Sequence, residues 1–303
     1  MGIAHHLREI GRGRDGARAL TRAQAHDLMG QVLDGHATDL EIGAFCIAMR
    51  VKGETPQEML GFLDAVHARL PAWTTPVPTV VLPSYNGARR LPVLTPLLAA
   101  LLAREGLAVL LHGNPSESGR TDSASVLAAM GVPALSAPRA LAAGEVAYLP
   151  TAALHAGLDR LLQVRRTIGL RNPAHSLVKL LSPLQGPVVL VSSHTHPEYA
   201  LSMAETLRPL TQERGVRALL LRGTEGEPVA DPRRQPRLDA FARGEAHTLV
   251  SAQEGPLTHV PQLPDHLDAA ATADWTRAVL AAAQPTPAPL STQVQAILRA
   301  FTL

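Results

Sequence analysis

Three capping boxes in succession constrain the start of this chain: TRAQ at residues 21–24, TDLE at 38–41 and TPQE at 55–58. In each, the threonine hydroxyl can accept from the amide three residues on, while the Gln or Glu side chain reaches back to the threonine amide. The third adds Pro56 at the first helical position. Behind the boxes, Leu28, Met29, Val32 and Leu33, then Ile42, Phe45, Cys46 and Met49, then Met59, Leu63 and Val66 form apolar stripes at helical spacing. Lys52 and Gly53 supply a stop signal for the second helix. Residues 1–72 therefore read as an antiparallel helical unit, with stripes that serve a core or a dimer interface and not a cofactor box.

After a proline-rich hinge at 71–78 the pattern changes. Residues 80–82, 108–111, 188–191 and 218–221 are short apolar runs without alternation, as in parallel strands buried on both faces. Helical stretches at 94–104 and 199–214 separate them. The fold class predicted is a small N-terminal helical domain plus a larger α/β domain with a mainly parallel central sheet and surrounding helices. Ligands of open α/β sheets sit at the carboxyl ends of the strands, where residues 84–90 and 112–118 emerge. The Ala-, Pro- and Thr-rich stretch 260–303 carries one amphipathic helix, at 292–301, and suggests no function.

Two segments carry more specific information: PSYNGARR at 83–90 and LHGNPSESGRTDSASVLAAMGV at 111–132. The second resembles anthranilate phosphoribosyltransferase, a glycosyltransferase family 3 member of the nucleoside phosphorylase and phosphoribosyltransferase superfamily. That family reads KHGN, then RSxSS, then GSADVLEALG. His112, Gly113, Asn114, Ser116, Ser118, Ala124, Val126, Leu127 and Gly131 fall into this register without a gap. RRTIGLR at 165–171 is similar to the family's RRELGIR, and residues 43–55 are similar to its helical domain. The resemblance spans residues 1 to 255. It implies that about 160–183 joins residues 1–72 in space as the dimerisation domain, leaving 77–159 and 184–303 as the α/β domain.

The departures from the family concern phosphate. Its GTGGDG loop falls on residues 83–88, which keep one glycine, Gly87. A diphosphate cradle needs closely approaching amides at positions free to take positive φ, and Pro83 has no amide at all. Leu111 stands where the family has a lysine, and Val93 replaces an asparagine, although Thr95 keeps a hydroxyl. The acidic pair that holds magnesium in the enzymes falls near 223–230, where Glu225, Glu227 and Asp231 are scattered and ill-suited to octahedral geometry. The resemblance thus implies a dismantled phosphoribosyl half. His112, Asn114 and Arg165 remain as a wall of the aromatic-acid side, within a candidate pocket of Ser84, Asn86, Gly87, Thr95, His112, Gly113, Asn114 and Arg165. The runs 84–89, 172–183, 195–199 and 222–227 resemble the YbiB-type branch, whose members are regarded as dimeric, sequence-independent nucleic-acid-binding proteins.

Charge is consistent with that branch. Net charge is only +2 and lysine occurs only at 52 and 179, yet arginines cluster at 8, 12, 14, 18 and 22, at 89 and 90, at 165, 166 and 171, and at 233, 234 and 237. Three of these groups read as exposed loops punctuated by glycine or proline. Guanidinium suits phosphate contact; solvated surface charge is the ordinary reading of any single cluster, but two of these flank the former phosphate cleft. Arg89, Arg90, Arg165, Arg166, Arg171, Lys179, Arg233, Arg234 and Arg237 are the candidate contacts to a DNA or RNA backbone. With tyrosines only at 85, 148 and 199, binding by charge is favoured over base stacking.

Other features are read as structural. Cys46, the single cysteine, lies on an apolar helix face as a buried thiol. His194 and His196 have no carboxylate or cysteine partner fixed by spacing, so neither a metal nor a cofactor is expected. GRGRDG at 11–16 follows no strand and lacks the Lys-Ser/Thr ending of a phosphate loop, so it reads as a linker. No apolar run reaches membrane-spanning length, and His5, His6 and Arg8 begin the chain without a signal-peptide core, so a cytoplasmic protein is expected. The leading reading is a non-catalytic homodimer that binds DNA or RNA through arginine-rich grooves without reading sequence. The alternatives are a glycosyltransferase of this fold with an altered acceptor, in which Arg89 and Arg90 replace the lost phosphate contacts, and a small aromatic-ligand sensor.

Overall fold

The chain passes three times between two units in the computed structural model, which describes residues 2–13, 15–115, 119–255 and 257–303. One unit is Met1–Ala72 with Thr151–Pro183, and the other is Trp73–Pro150 with Leu184–Leu303. Arg14, Ser116 and Ser118, singled out above, lie outside the described residues.

The first unit opens with α1 (Ala4–Ile10), α2 (Arg22–Leu33), α3 (Asp39–Lys52) and α4 (Pro56–His67). All three capping boxes form: Thr21, Thr38 and Thr55 each cap the residue three ahead, and Gln24, Glu41 and Glu58 reach back. Glu58 does more. Its fully buried carboxylate also accepts Leu20 N at 2.9 Å and Lys52 Nζ at 2.7 Å, so the charge is paired rather than stranded. The apolar stripes are buried, with Phe45 and Phe62 meeting edge to face at 5.9 Å.

The chain continues through β1 (Thr79–Ser84), α5 (Thr95–Arg104), β2 (Ala108–Gly113), α6 (Ser123–Ala129) and β3 (Val146–Pro150) before returning to the helical unit. There α7 (Thr151–Leu154), α8 (Ala156–Ile168), α9 (Ala174–Leu177) and a 3-10 turn at Val178–Leu180 complete the first unit. The return begins at Thr151, earlier than the 160 expected, so residues 151–159 belong to the helices and not to the α/β domain. Within that unit α8 approaches α2 closely: a Cβ on Gly157 would lie 2.2 Å from Leu33 O, and only glycine fits.

The second unit resumes with β4 (Val188–His194), α10 (Pro197–Arg214), β5 (Arg217–Arg222), β6 (Leu238–Ala242), β7 (Glu245–Val250), α11 (Ala269–Leu280) and α12 (Ala288–Ala300). The sheet order is β3-β2-β1-β4-β5-β6-β7. The first five strands are parallel and the β6–β7 hairpin is antiparallel. Arg243 and Gly244, both at positive φ, turn that hairpin, which suits the twist of the flanking strands. The central runs are buried on both faces, packed against Leu97 and Leu98 of α5 and Leu290 and Ile297 of α12. Among the described residues no helix is long and apolar enough to cross a membrane.

Candidate functional site

The sheet order reverses at β1, whose neighbours β2 and β4 carry the chain to opposite sides, and such a switch point is where open α/β sheets form ligand crevices. Pro83 sits near the end of β1, beyond the last residue paired with β4, Val81, so its missing amide breaks no ladder bond on that side. Past it, residues 85–91 form a loop facing the segment that follows β5.

That loop is filled. The Glu227 side chain, in a residue 1% exposed, accepts Asn86 N at 2.8 Å and Gly87 N at 2.9 Å through Oε1. Its Oε2 takes the hydroxyls of Ser84, of Thr95 at 3.1 Å and of Ser123 at 3.4 Å. Glu225 Oε1 accepts Arg90 N at 2.8 Å and Leu91 N at 3.1 Å, while Arg89 N is shared between both its oxygens at 3.3 Å. Gly87 has φ +60°, which turns its amide and that of Asn86 toward one point. Glu225 itself is held at φ +51°, a left-handed conformation that costs a side-chain-bearing residue free energy and persists only where its surroundings fix it.

Several contacts fix it. Asn86 Nδ2 donates to Glu225 O at 2.9 Å, Ser193 Oγ to Gly226 O at 3.0 Å, and Arg120 Nη1 to Gly87 O at 3.0 Å. The Arg120 guanidinium also lies 3.6 Å from Glu225 Oε2, balancing part of the acidic charge. From α12, the fully buried Gln293 donates to Pro228 O at 3.0 Å and accepts Ala230 N at 2.8 Å. The C-terminal stretch without an expected role thus braces the acidic loop. Sequence reasoning missed Arg120, Ser123 and Gln293 because their partners are remote in the chain; Tyr85 was noted only as one of few aromatics.

This corrects one expectation. The amide cradle is not lost with its glycines; Asn86, Gly87, Arg89, Arg90 and Leu91 still converge, but on the chain's own carboxylates. Glu225 and Glu227, weighed from the sequence only as poor magnesium ligands, are the acceptors of these amides.

Of the candidate pocket, Ser84, Asn86, Gly87 and Thr95 are all in this network. His112 and Gly113 end β2. His112 is fully buried, its Nδ1 2.7 Å from Tyr85 Oη and the two rings edge to face at 5.5 Å. Asn114 follows, partly buried, and Arg165 belongs to the helical unit.

The basic residues divide. Arg89 and Arg90 lend their amides to Glu225, while their exposed side chains have no partner among the described residues. Arg165 and Arg166 occupy the last turn of α8 instead of a loop, with Arg171 just beyond. Burial, then the charges of Arg171 and Arg165, push His175 down to about 3. Lys179 is 8% exposed in the 3-10 turn, a correction to its expected place on a binding surface; Leu177, Val178 and Leu180 around it are core residues. Arg233 makes a two-pronged pair with Asp231, at 3.0 and 2.9 Å, Arg234 lies 4.0 Å from the same carboxylate, and Arg237 pairs with Asp239 at 2.8 Å. Burial alone would raise Asp231, but the Arg233 hydrogen bonds hold it below its usual range, and the three arginines of this cluster share two carboxylates. His194 ends β4 and His196 precedes α10. Burial pushes the Cys46 thiol up to about 11.

Comparison with known proteins matches residues 5–69 to the helical bundle domain of a glycosyl transferase family. An uncharacterized Escherichia coli K12 protein, YbiB, is 37% identical over 301 residues, covering 96% of this chain and 92% of that protein. Anthranilate phosphoribosyltransferase of Myxococcus xanthus is 32% identical over 258 residues, covering 82% of this chain and 74% of the enzyme. Among solved structures, the Thermus thermophilus anthranilate phosphoribosyltransferase superposes with a TM-score of 0.69 at 23% identity, covering 93% of this chain and 85% of that one. The structural likeness shows the helical and α/β fold.

Proposed function

The chain belongs to the anthranilate phosphoribosyltransferase-like family, and from that premise we propose that it is a non-catalytic member that binds the backbone of DNA or RNA without reading sequence. One observation carries the non-catalytic part: Glu227 and Glu225 already take the amides that a phosphoribosyl diphosphate would need. Two like-charged groups cannot share a cradle, so substrate entry requires expelling a buried, multiply bonded carboxylate. Glycosyl transfer with an altered acceptor meets the same obstacle, because it too needs the diphosphate.

Nucleic-acid binding is supported by the arginines left over. Arg89 and Arg90 stand on the rim of the filled loop, anchored through their amides, and their guanidinium groups, like that of exposed Arg166, have no partner among the described residues. Arg233, Arg234 and Arg237 rank behind these because each lies within 4.0 Å of Asp231 or Asp239.

A homodimer through the helical unit goes with this reading. Leu40, Ile47 and Val51 recur at helical spacing on α3 and are exposed, Leu40 at 84%, with Gly43 between them in open space. A two-fold pairing on that stripe would double the arginine surface. A cytoplasmic setting is compatible with all of this.

The test is a gel-shift titration with unrelated DNA and RNA oligonucleotides beside a turnover assay with anthranilate, phosphoribosyl diphosphate and magnesium. Binding that is indifferent to sequence, falls steeply with salt and comes without turnover is the expected result. Turnover overturns the non-catalytic reading, and no binding at low salt overturns the nucleic-acid reading.

A further inference from the structure

We propose that His5, His6 and Asp27 form a binding site for a first-row divalent metal ion that prefers imidazole, of which zinc is the type, on the surface of the helical unit. The site is independent of the filled loop and of the nucleic-acid reading. His5 and His6 are consecutive on α1, and Asp27 lies on α2, so sequence spacing gave no signal. The fold brings one ligand atom of each within 4.8 Å of the others. His6 Nε2 lies 2.7 Å and His5 Nε2 3.9 Å from Asp27 Oδ2. Tetrahedral zinc, with bonds of about 2.0–2.2 Å, asks its ligand atoms to stand about 3.3 Å apart. The observed separations straddle that value.

The surroundings suit an ion. His6 is buried and presented by its helix in a fixed place. The His5 and Asp27 side chains, 55% and 53% exposed, can adjust and leave a route for entry. The two imidazole ring centroids stand 3.9 Å apart, and the Nε2 of each ring lies within 3.9 Å of the same carboxylate oxygen. Gln31 Nε2 holds Asp27 Oδ2 at 2.8 Å from the next turn of α2, the outer contact that metal-ligating carboxylates commonly have. The other end of that amide, Gln31 Oε1, is buried without a hydrogen-bond partner among the described residues. The donor set of two imidazoles and one carboxylate selects zinc and its neighbours over magnesium or calcium, which favour oxygen cages. Three protein ligands leave a fourth position for water or a donor from another molecule, and the ion would pin the short α1 to α2.

Calorimetric titration of the full, tag-free chain with zinc chloride tests this, with cobalt(II) as a spectroscopic substitute whose visible absorption reports ligand geometry. One equivalent per chain is expected, accompanied by a higher melting temperature. His5→Ala alters an exposed side chain, and Asp27→Asn preserves size, so both should fold. Each should weaken zinc at least by the ~10–100-fold that loss of an outer partner alone costs and remove the cobalt band, whereas His36→Ala should change neither. Binding unchanged in His5→Ala and Asp27→Asn, or no binding to the unaltered chain, overturns the assignment.

Discussion

Replacing Glu227 by alanine tests whether the loop at 85–91 is a filled anion cradle. The substitution strips the acceptor from two buried amides, Asn86 N and Gly87 N, and from the hydroxyls of Ser84, Thr95 and Ser123. Hydroxyls can rotate to new partners and backbone amides cannot. Each buried donor left unmade costs about 1–3 kcal/mol, so the two amides alone imply roughly 2–6 kcal/mol, a large share of an ordinary domain's ~5–15 kcal/mol. Glu227→Gln retains Oε1 for both amides and lets the hydroxyls accept from its new amide group, so it should lose well under half as much. Urea unfolding reads both. The decisive arm is added inorganic phosphate: in Glu227→Ala it should enter the vacated cradle and restore stability, by about 2.7 kcal/mol at a hundred times its dissociation constant. The unaltered chain should show no such gain. Equal urea midpoints for the alanine variant and the unaltered chain, or an identical phosphate response, would refute the reasoning.

Arg89→Ala with Arg90→Ala should weaken binding to all oligonucleotides alike and flatten the salt dependence by about one unit per lost contact, while the Arg233, Arg234 and Arg237 triple alanine variant should move affinity far less; gel shifts at several salt concentrations compare them. Leu40→Asp combined with Ile47→Asp should give monomers by light scattering, with helix content by circular dichroism unchanged because both side chains are exposed. His175, held down to about 3 in the folded chain against an ordinary value near 6.5, binds its proton only after unfolding between those limits. Its contribution is therefore intact above pH ~6.5 and lost as pH falls toward 3, by at most about 1.4 kcal/mol per unit, a slope that His175→Asn should flatten in acid unfolding curves. Cys46, buried and raised to about 11, should react with a thiol reagent at pH 8 only as fast as the helical unit opens.

The helical unit was legible because its signals are local: a threonine and a glutamate three residues apart make a cap wherever the rest of the chain goes. Fully buried parallel strands were legible for a similar reason, since residues such as Val80 and Val189 face apolar surroundings on both sides. Strand β3 and the β6–β7 hairpin were not. Asp239 stands in β6 between buried Leu238 and Ala240 because Arg237 and Thr248 bind its carboxylate, a contact that no alternation of polar and apolar residues announces. The boundary at Thr151 follows directly on β3 and went unread with it, and Lys179 looked like a surface cation until the surrounding leucines and valine closed over it.

The site was half legible for the same reason. From the sequence, a loop stripped of glycines and an acidic pair broken into Glu225 and Glu227 look like two independent losses. In the fold they are one arrangement. Separating the acids by Gly226 lets one carboxylate reach the inner amides at 86–87 and the other the outer amides at 89–91, and Glu225 takes a positive φ to do so. With carboxylates supplied by the chain, the loop needs no glycine-rich backbone able to follow a changing ligand; one positive-φ glycine and fixed amides suffice. Restoring the glycines alone should then leave phosphate binding absent, because Glu227 would still fill the cradle. Adding Glu227→Ala to that variant should make phosphate binding measurable by calorimetry, and binding that appears before Glu227 is removed would show that backbone geometry, not the internal carboxylate, closes the site.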